Sequence, residues 1–198
     1  MQQADAPSKY AKVRIACVDV DYRADCAIAA GLWFTGWSAA AATHEAIAVI
    51  ENVAPYQPGE FYRRELPALL AVLAKGPAVD VVIVDGYVWL ENGRPGLGAH
   101  LHDALGKQPI VVGVAKTRYD SAANVVPVCR GKSRAELYVS AAGADVEEVA
   151  REVAGMNGEF RLPTLLKQVD RKAREYTHTP SIIDLTNSDA RRSQSRTR

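Results

Sequence analysis

Val79-Asp80-Val81-Val82-Ile83-Val84-Asp85-Gly86 is the stretch on which the fold turns. Val81 to Val84 form an unbroken aliphatic run, the pattern of a strand buried on both faces. Asp85 stands where that strand should leave the core, and Gly86 lets the backbone turn and something approach closely. In an open α/β sheet, ligands gather at the carboxyl ends of the strands. Asp85 by itself reads equally as a cap for the following loop. A second copy of the arrangement shifts that balance: Val13-Arg14-Ile15-Ala16-Cys17-Val18-Asp19 also reads as a strand ending in Asp. Two strands that bring carboxylates to one sheet edge could build a divalent-metal site with hard oxygen ligands.

Outward from these strands the chain has a definite order. Asp21 to Asp25 is a polar turn and Cys26 to Phe34 a second strand, so the first two strands form an antiparallel hairpin. Trp37 to Asn52 is ambiguous, since its alanines favour helix by propensity and a third strand fits equally. Pro55-Tyr56-Gln57-Pro58-Gly59 can be neither helix nor central strand and is a stiff loop with an aromatic at its tip. Phe61, Leu66, Leu69, Leu70 and Leu73 lie at helical spacing, with Glu65 among them. The strand to Asp85 follows, then a polar loop, Tyr87 to Pro95. A short helix comes next at Leu97 to Leu105, then a buried strand, Ile110 to Val114, with Lys116 just past its end. Strand, helix and strand in this order predict a right-handed parallel crossover. Val125 to Val128 and Leu137 to Val139 read as edge strands. Asp145 to Ala154 and Thr164 to Arg174 read as helices, with Asp145 as an N-cap and Pro163 just before the second start. Three antiparallel strands followed by alternating helix and strand is the ribonuclease H-like order. The expected fold is therefore an α/β mixed sheet flanked by helices, which favours a strand within residues 37–52. A flexible leader is expected at 1–11, the folded domain at 12–176, and a disordered basic tail at 177–198.

Composition narrows the function classes. The chain has 198 residues, 48% of them hydrophobic and 24% charged, enough for one sizeable core. A net charge of +1 gives no bulk signal for a polyanion partner, although four arginines and no acid lie between Arg191 and Arg198. Such a run is ordinarily solvated, and it can add unspecific attraction to phosphate. Cys17, Cys26 and Cys129 include no CxxC pair, which argues against a disulfide scaffold or a zinc ribbon. With no membrane-length apolar run and no basic-then-apolar start, the expectation is a cytoplasmic monomer without a membrane partner.

Four stretches, in order and at matching spacings, resemble the endonuclease V family of deoxyinosine-directed nucleases. They are Val18-Asp19-Val20-Asp21-Tyr22; Pro55 to Gly59 running into Arg64-Glu65-Leu66-Pro67; Val84-Asp85-Gly86; and Gly113-Val114-Ala115-Lys116. Arg161-Leu162-Pro163 leading to Asp170 is a weaker fifth, and the resemblance runs from about residue 12 to about 175. The resemblance implies a metal-dependent endonuclease that hydrolyses a phosphodiester near a deaminated purine, inosine, in DNA or RNA. It makes Asp19 and Asp85 the paired metal aspartates, with Glu65 completing the cluster and Asp170 at a further metal position. Asp19, Glu65, Asp85 and Lys116 become the catalytic set, with Lys116 on the phosphate region. Pro55, Tyr56, Gln57, Pro58 and Gly59 become a wedge beside the lesion, and Gly86, Leu97 and Gly113 the lining of a hypoxanthine pocket. Mg²⁺, with Mn²⁺ as a substitute, suits an all-carboxylate set.

The sequence also departs from the family. Leu90-Glu91-Asn92-Gly93-Arg94-Pro95 stands where a His-Pro-Arg segment is usual, and Ser140-Ala141-Ala142-Gly143-Ala144 replaces a Ser-Pro-Gly-His-like stretch. These departures leave open a degenerate relative that grips nucleic acid or a partner without cutting. Read without the resemblance, Glu65 and Asp170 are solvent-facing helix acids and Lys116 a surface lysine. His100 and His102 form an H-x-H pair, but on a helix that spacing points them to different sides. Gly93 to Gly98 fits no Walker or dinucleotide pattern. Turn chemistry is its ordinary reading, and a nucleotide-binding loop the weaker one.

Overall fold

The hairpin expected at the start is the first feature of the computed structural model, which describes residues 12–24, 26–51, 53, 60–122 and 124–177. Strand β1 (Arg14–Tyr22) pairs antiparallel with β2 (Cys26–Thr35), from Arg14 opposite Thr35 to Tyr22 opposite Ala27. β1 therefore continues past Asp19, where the sequence reading ended it, because β2 supplies partners as far as Tyr22. β3 (His44–Glu51) pairs antiparallel with β2, so the ambiguous region is a strand in its second half. The leader, the Pro55–Gly59 loop and the tail from residue 178 onward lie outside the described residues.

Helix α1 (Phe61–Leu73) leads into β4 (Val81–Asp85), and α2 (Leu97–Ala104) leads into β5 (Ile110–Ala115). β4 lies parallel between β1 and β5, as the crossover rule requires. Asp80 falls just outside the strand, where its carboxylate accepts from the Arg14 backbone N–H at 2.9 Å and from Nη2 at 2.7 Å. β6 (Val126–Val128), β7 (Leu137–Ala142), α3 (Val146–Gly155) and α4 (Thr164–Glu175) complete the chain. Asp145 caps α3 as expected, accepting from the Glu148 N–H at 2.9 Å.

The seven strands lie in the order β3-β2-β1-β4-β5-β7-β6. One sequence expectation fails here. β7 is an interior strand, antiparallel to both β5 and β6, and of these two expected edge strands β6 alone lies at an edge. β6 carries Pro127, which an edge strand tolerates because one side of its backbone has no neighbour.

Alternation along the central strands builds two cores. Ile15, Cys17, Val81, Ile83, Val112 and Val114 face α3 and α4, packing with Val149, Val153, Leu165 and Val169. Ala16, Val18, Val82, Val84 and Val111 face α1 and α2, packing with Leu69, Val72 and Leu101. The protein is a helix–sheet–helix sandwich whose central strands are covered on both sides. Cys17 and Cys26 are buried and Cys129 is exposed. Among the described residues, no helix is long and apolar enough to cross a membrane.

Candidate active site

The same alternation aims the polar residues. Asp19 is two residues on from Cys17, Asp85 two on from Ile83, and Lys116 two on from Val114, so all three continue the face that α4 covers. Val18 and Val84 are the last parallel pair between β1 and β4, and each strand places its Asp at the next position. Asp170, on α4, closes the group from above. Lys116 Nζ lies 2.6 Å from Asp85 Oδ2 and 3.7 Å from Asp170 Oδ1. Arg174, one turn on, holds Asp170 at 2.7 Å. Beneath them a cavity of ≈ 20 Å³ is lined by Asp19, Asp85, Lys116 and Asp170, room for about one water.

Glu65 arrives from the opposite layer, on α1. It meets Asp19, Asp85 and Asp170 in an open hollow of ≈ 500 Å³ that Phe61, Gly86 and Arg174 also line. The electrostatics of this meeting are unfavourable. Burial, then repulsion from Asp19 and Asp85, pushes Glu65 up to about 8, with Arg64 opposing. Burial and Asp85 push Asp19 up to about 7, against a hydrogen bond from the Val20 N–H and the charge of Lys116. For Lys116 burial pulls downward. The hydrogen bond to Asp85 and the charges of Asp85, Asp170 and Asp19 outweigh it, so the ammonium is held protonated.

Buried carboxylates that repel one another need positive charge, and Lys116 and Arg174, the two cations paired with this group, are outnumbered by its four acids. The donors are all carboxylate oxygens, the set that hard divalent cations take. Among the described residues no three such groups are already drawn together as a metal cage. The donor chemistry and the charge imbalance therefore fit a divalent ion.

Arginines to which the sequence reading gave no role fix this geometry. Arg161 donates through Nη2 to the carbonyls of Lys116 and Glu136, and its Nε reaches the Glu136 carbonyl at 3.1 Å. It thereby anchors the backbone of the residue whose ammonium meets Asp85. Arg130, 4% exposed, spends its guanidinium on carbonyls between Ala154 and Arg161, which sets the approach to Arg161 and α4. Arg23 joins Asp21 at 3.3 Å and donates to the carbonyl of Arg174 at 3.2 Å, tying the end of β1 to the end of α4.

A second hollow, of ≈ 270 Å³, opens on the α1–α2 side of Asp85, with Phe61, Tyr62, Gly86, Arg94 and Leu97 among its walls. Gly86 and Leu97 thus line one hollow. Gly86 has φ +126°, a conformation that needs glycine. Gly113 does not line this hollow. A Cβ there would stand 2.4 Å from the Gly86 carbonyl oxygen and 2.8 Å from Ser140 Oγ. Its role is to let the loop after Asp85 sit down on the sheet. Ser140, fully buried, holds that loop by accepting from the Val88 N–H at 2.9 Å, and Trp89 Nε1 donates to the Ala141 carbonyl at 3.0 Å. His100 stacks on Tyr62, rings 3.6 Å apart, which accounts for it as a packing residue. The Gly93–Gly98 run turns the chain into α2, as turn chemistry predicts.

The model of the Endonuclease V family matches residues 1–158. No curated protein matches the chain. Among solved structures, human endonuclease V superposes with a TM-score of 0.71 at 23% identity, over 86% of each chain. Endonuclease V from Streptomyces avermitilis gives 0.69 at 24%, over 83% of this chain and 81% of that one. Endonuclease V from Ciona intestinalis, in complex with a 24mer DNA containing an inosine followed by a ribo-adenosine, gives 0.72 at 18%, over 86% and 87%. At these identities the superpositions establish the shared fold.

Proposed function

The chain belongs to the endonuclease V family and is a nuclease, and from that premise we propose that it cuts a phosphodiester near inosine in DNA or RNA with the help of a divalent metal. The observation that carries this reading is the convergence of Asp19, Asp85, Glu65 and Asp170 from four different elements on one hollow, with Lys116 against two of them.

Asp19, Glu65, Asp85 and Asp170 would hold Mg²⁺, or Mn²⁺ in its place. When bound, such an ion activates a water and offsets charge on the leaving oxygen. The chain supplies the rest. Lys116 offers a point charge to a phosphate oxygen once a cation relieves Asp85 of it. Glu65, raised to about 8 by burial and then by Asp19 and Asp85, would serve as a ligand in its ionised form. The hollow bounded by Gly86 and Leu97 is of a size for a base taken out of its stack. Pro55 to Gly59 would fill the place that base leaves.

The test is a gel assay on single-stranded DNA and RNA, each with one inosine beside an adenosine control, run with Mg²⁺, Mn²⁺ or chelator. Metal-dependent cutting one phosphodiester past the inosine, absent in D19A and D85A, is expected. Equal cutting of the controls would remove the inosine preference and keep the acidic site. No cutting under any condition would overturn the nuclease assignment in favour of a binder that has lost catalysis.

A further inference from the structure

We propose that Arg94 reads the base, selecting purines that carry an oxygen at position 6 over adenine. This rests on the reading of the smaller hollow as the seat of a displaced base. The segment Leu90 to Pro95 keeps an Arg and a Pro where the family has His-Pro-Arg, in a different arrangement and without the His, so no role carries over to Arg94 by position.

Arg94 stands on a fixed frame. Its carbonyl accepts from the Leu90 N–H at 2.8 Å, its N–H donates to the Glu91 carbonyl at 3.0 Å, and Trp89 and Pro95 form an isolated bridge. The frame is fastened to β7 through Ser140 and Ala141. The side chain lines the hollow, and among the described residues its guanidinium has no hydrogen-bond or ion-pair partner. The other polar side chains on these walls are engaged. Tyr87 Oη donates to the Thr117 carbonyl at 2.8 Å and accepts from the Tyr119 N–H at 3.0 Å. Tyr62 Oη accepts from Arg63 Nε at 3.3 Å, and Asp85 belongs to the acidic cluster. The remaining walls are apolar or aromatic, with Phe61 45% exposed at the rim.

An apolar slot with one free guanidinium is a defined recognition surface. A guanidinium has donors only, five of them in a planar fork. Hypoxanthine offers O6 and N7, two acceptors side by side, which the fork can take together. Adenine offers N7 beside an amino group, so one arm of the fork would face another donor. Discrimination of about tenfold or more follows from such a pair.

The experiment is equilibrium binding by fluorescence anisotropy, on single-stranded DNA in Ca²⁺, with strand integrity checked on a gel. The central nucleotide is inosine, 7-deazainosine, adenosine or a baseless analogue. The wild-type protein should bind inosine about tenfold tighter than adenosine, with 7-deazainosine between them. R94A should lose most of that preference, should no longer distinguish inosine from 7-deazainosine, and R94K should recover part of it. Equal wild-type affinity for inosine and adenosine overturns the proposal. So does an R94A loss of the same size on all four strands, which would place Arg94 on the phosphates. An Arg94-dependent inosine preference in a protein that never cuts would sustain this inference and remove the nuclease assignment, so the two fail separately.

Discussion

Lys116 Nζ sits 2.6 Å from Oδ2 of Asp85, closer to that carboxylate than to Asp170 at 3.7 Å. A carboxylate that would help hold the proposed metal is thus engaged by an ammonium. This sets two properties against each other. K116A should tighten Mn²⁺ binding, because a competing cation is gone, and should slow single-turnover cleavage by about a hundredfold or more. Calorimetric titration and a quench-flow time course measure the two. A variant that loses both affinity and rate would show that the lysine organises the acids instead of competing for them.

Proton linkage gives a second prediction. Asp19 is raised to about 7 and Glu65 to about 8, burial being the larger cause in each. Their folded pKa values lie above the ordinary carboxylate range, so the folded protein binds protons that the unfolded chain would release. These groups therefore destabilise the metal-free protein as pH rises from about 4 through 8, and that penalty fades as pH falls. The metal-free Tm should rise between pH 8 and pH 5, and added Mg²⁺ should raise it more at pH 8 than at pH 5. D19N should flatten both trends. A metal-free Tm that falls steadily on acidification would contradict the assignment.

Arg161 offers a test of support without chemistry. Its removal leaves the carbonyls of Lys116 and Glu136 without their guanidinium. R161A should cost about 1–3 kcal/mol in urea unfolding. It should lower kcat more than it raises KM, since it displaces Lys116 and not the substrate surface. R161K should restore stability in part and the rate less.

Gly113 has a steric prediction. The Gly86 carbonyl is backbone and cannot swing away from a Cβ placed 2.4 Å from it. G113A should destabilise by about 1–3 kcal/mol through overpacking. It should also lift the loop that follows Asp85, so inosine preference should weaken alongside stability. An unaltered preference in a destabilised variant would separate the loop's position from base selection.

The sequence made the frame readable because the frame repeats. Unbroken apolar runs announced β1, β4 and β5, helical spacing announced α1, and Asp145 announced the start of α3. Asp19 and Asp85 were visible for the same reason, each standing at the end of an apolar run, whereas Lys116 read as a surface lysine until the resemblance marked it. Glu65 and Asp170 were visible through family resemblance alone, since on their own helices they look like solvated acids. The place of β7 was misread because a short run of strand residues does not say how many neighbours it has. Gly113 was put on the pocket wall by the resemblance alone, and its close approach to the Gly86 carbonyl is legible only in the fold. Arg130 and Arg161 were illegible in role, since a side chain that binds carbonyls 24 or more residues away leaves no periodicity.

The acidic residues do not share a common support. Asp19 and Asp85 stand on the doubly covered middle of the sheet, Glu65 on a helix of one outer layer and Asp170 on a helix of the other. Outer layers detach more readily than a central sheet. Transient loosening of α1 or α4 would scatter the ligands while every strand stays paired. Heat should accordingly silence this protein before it melts, with amides in α4 exchanging ahead of those in β1 and β4.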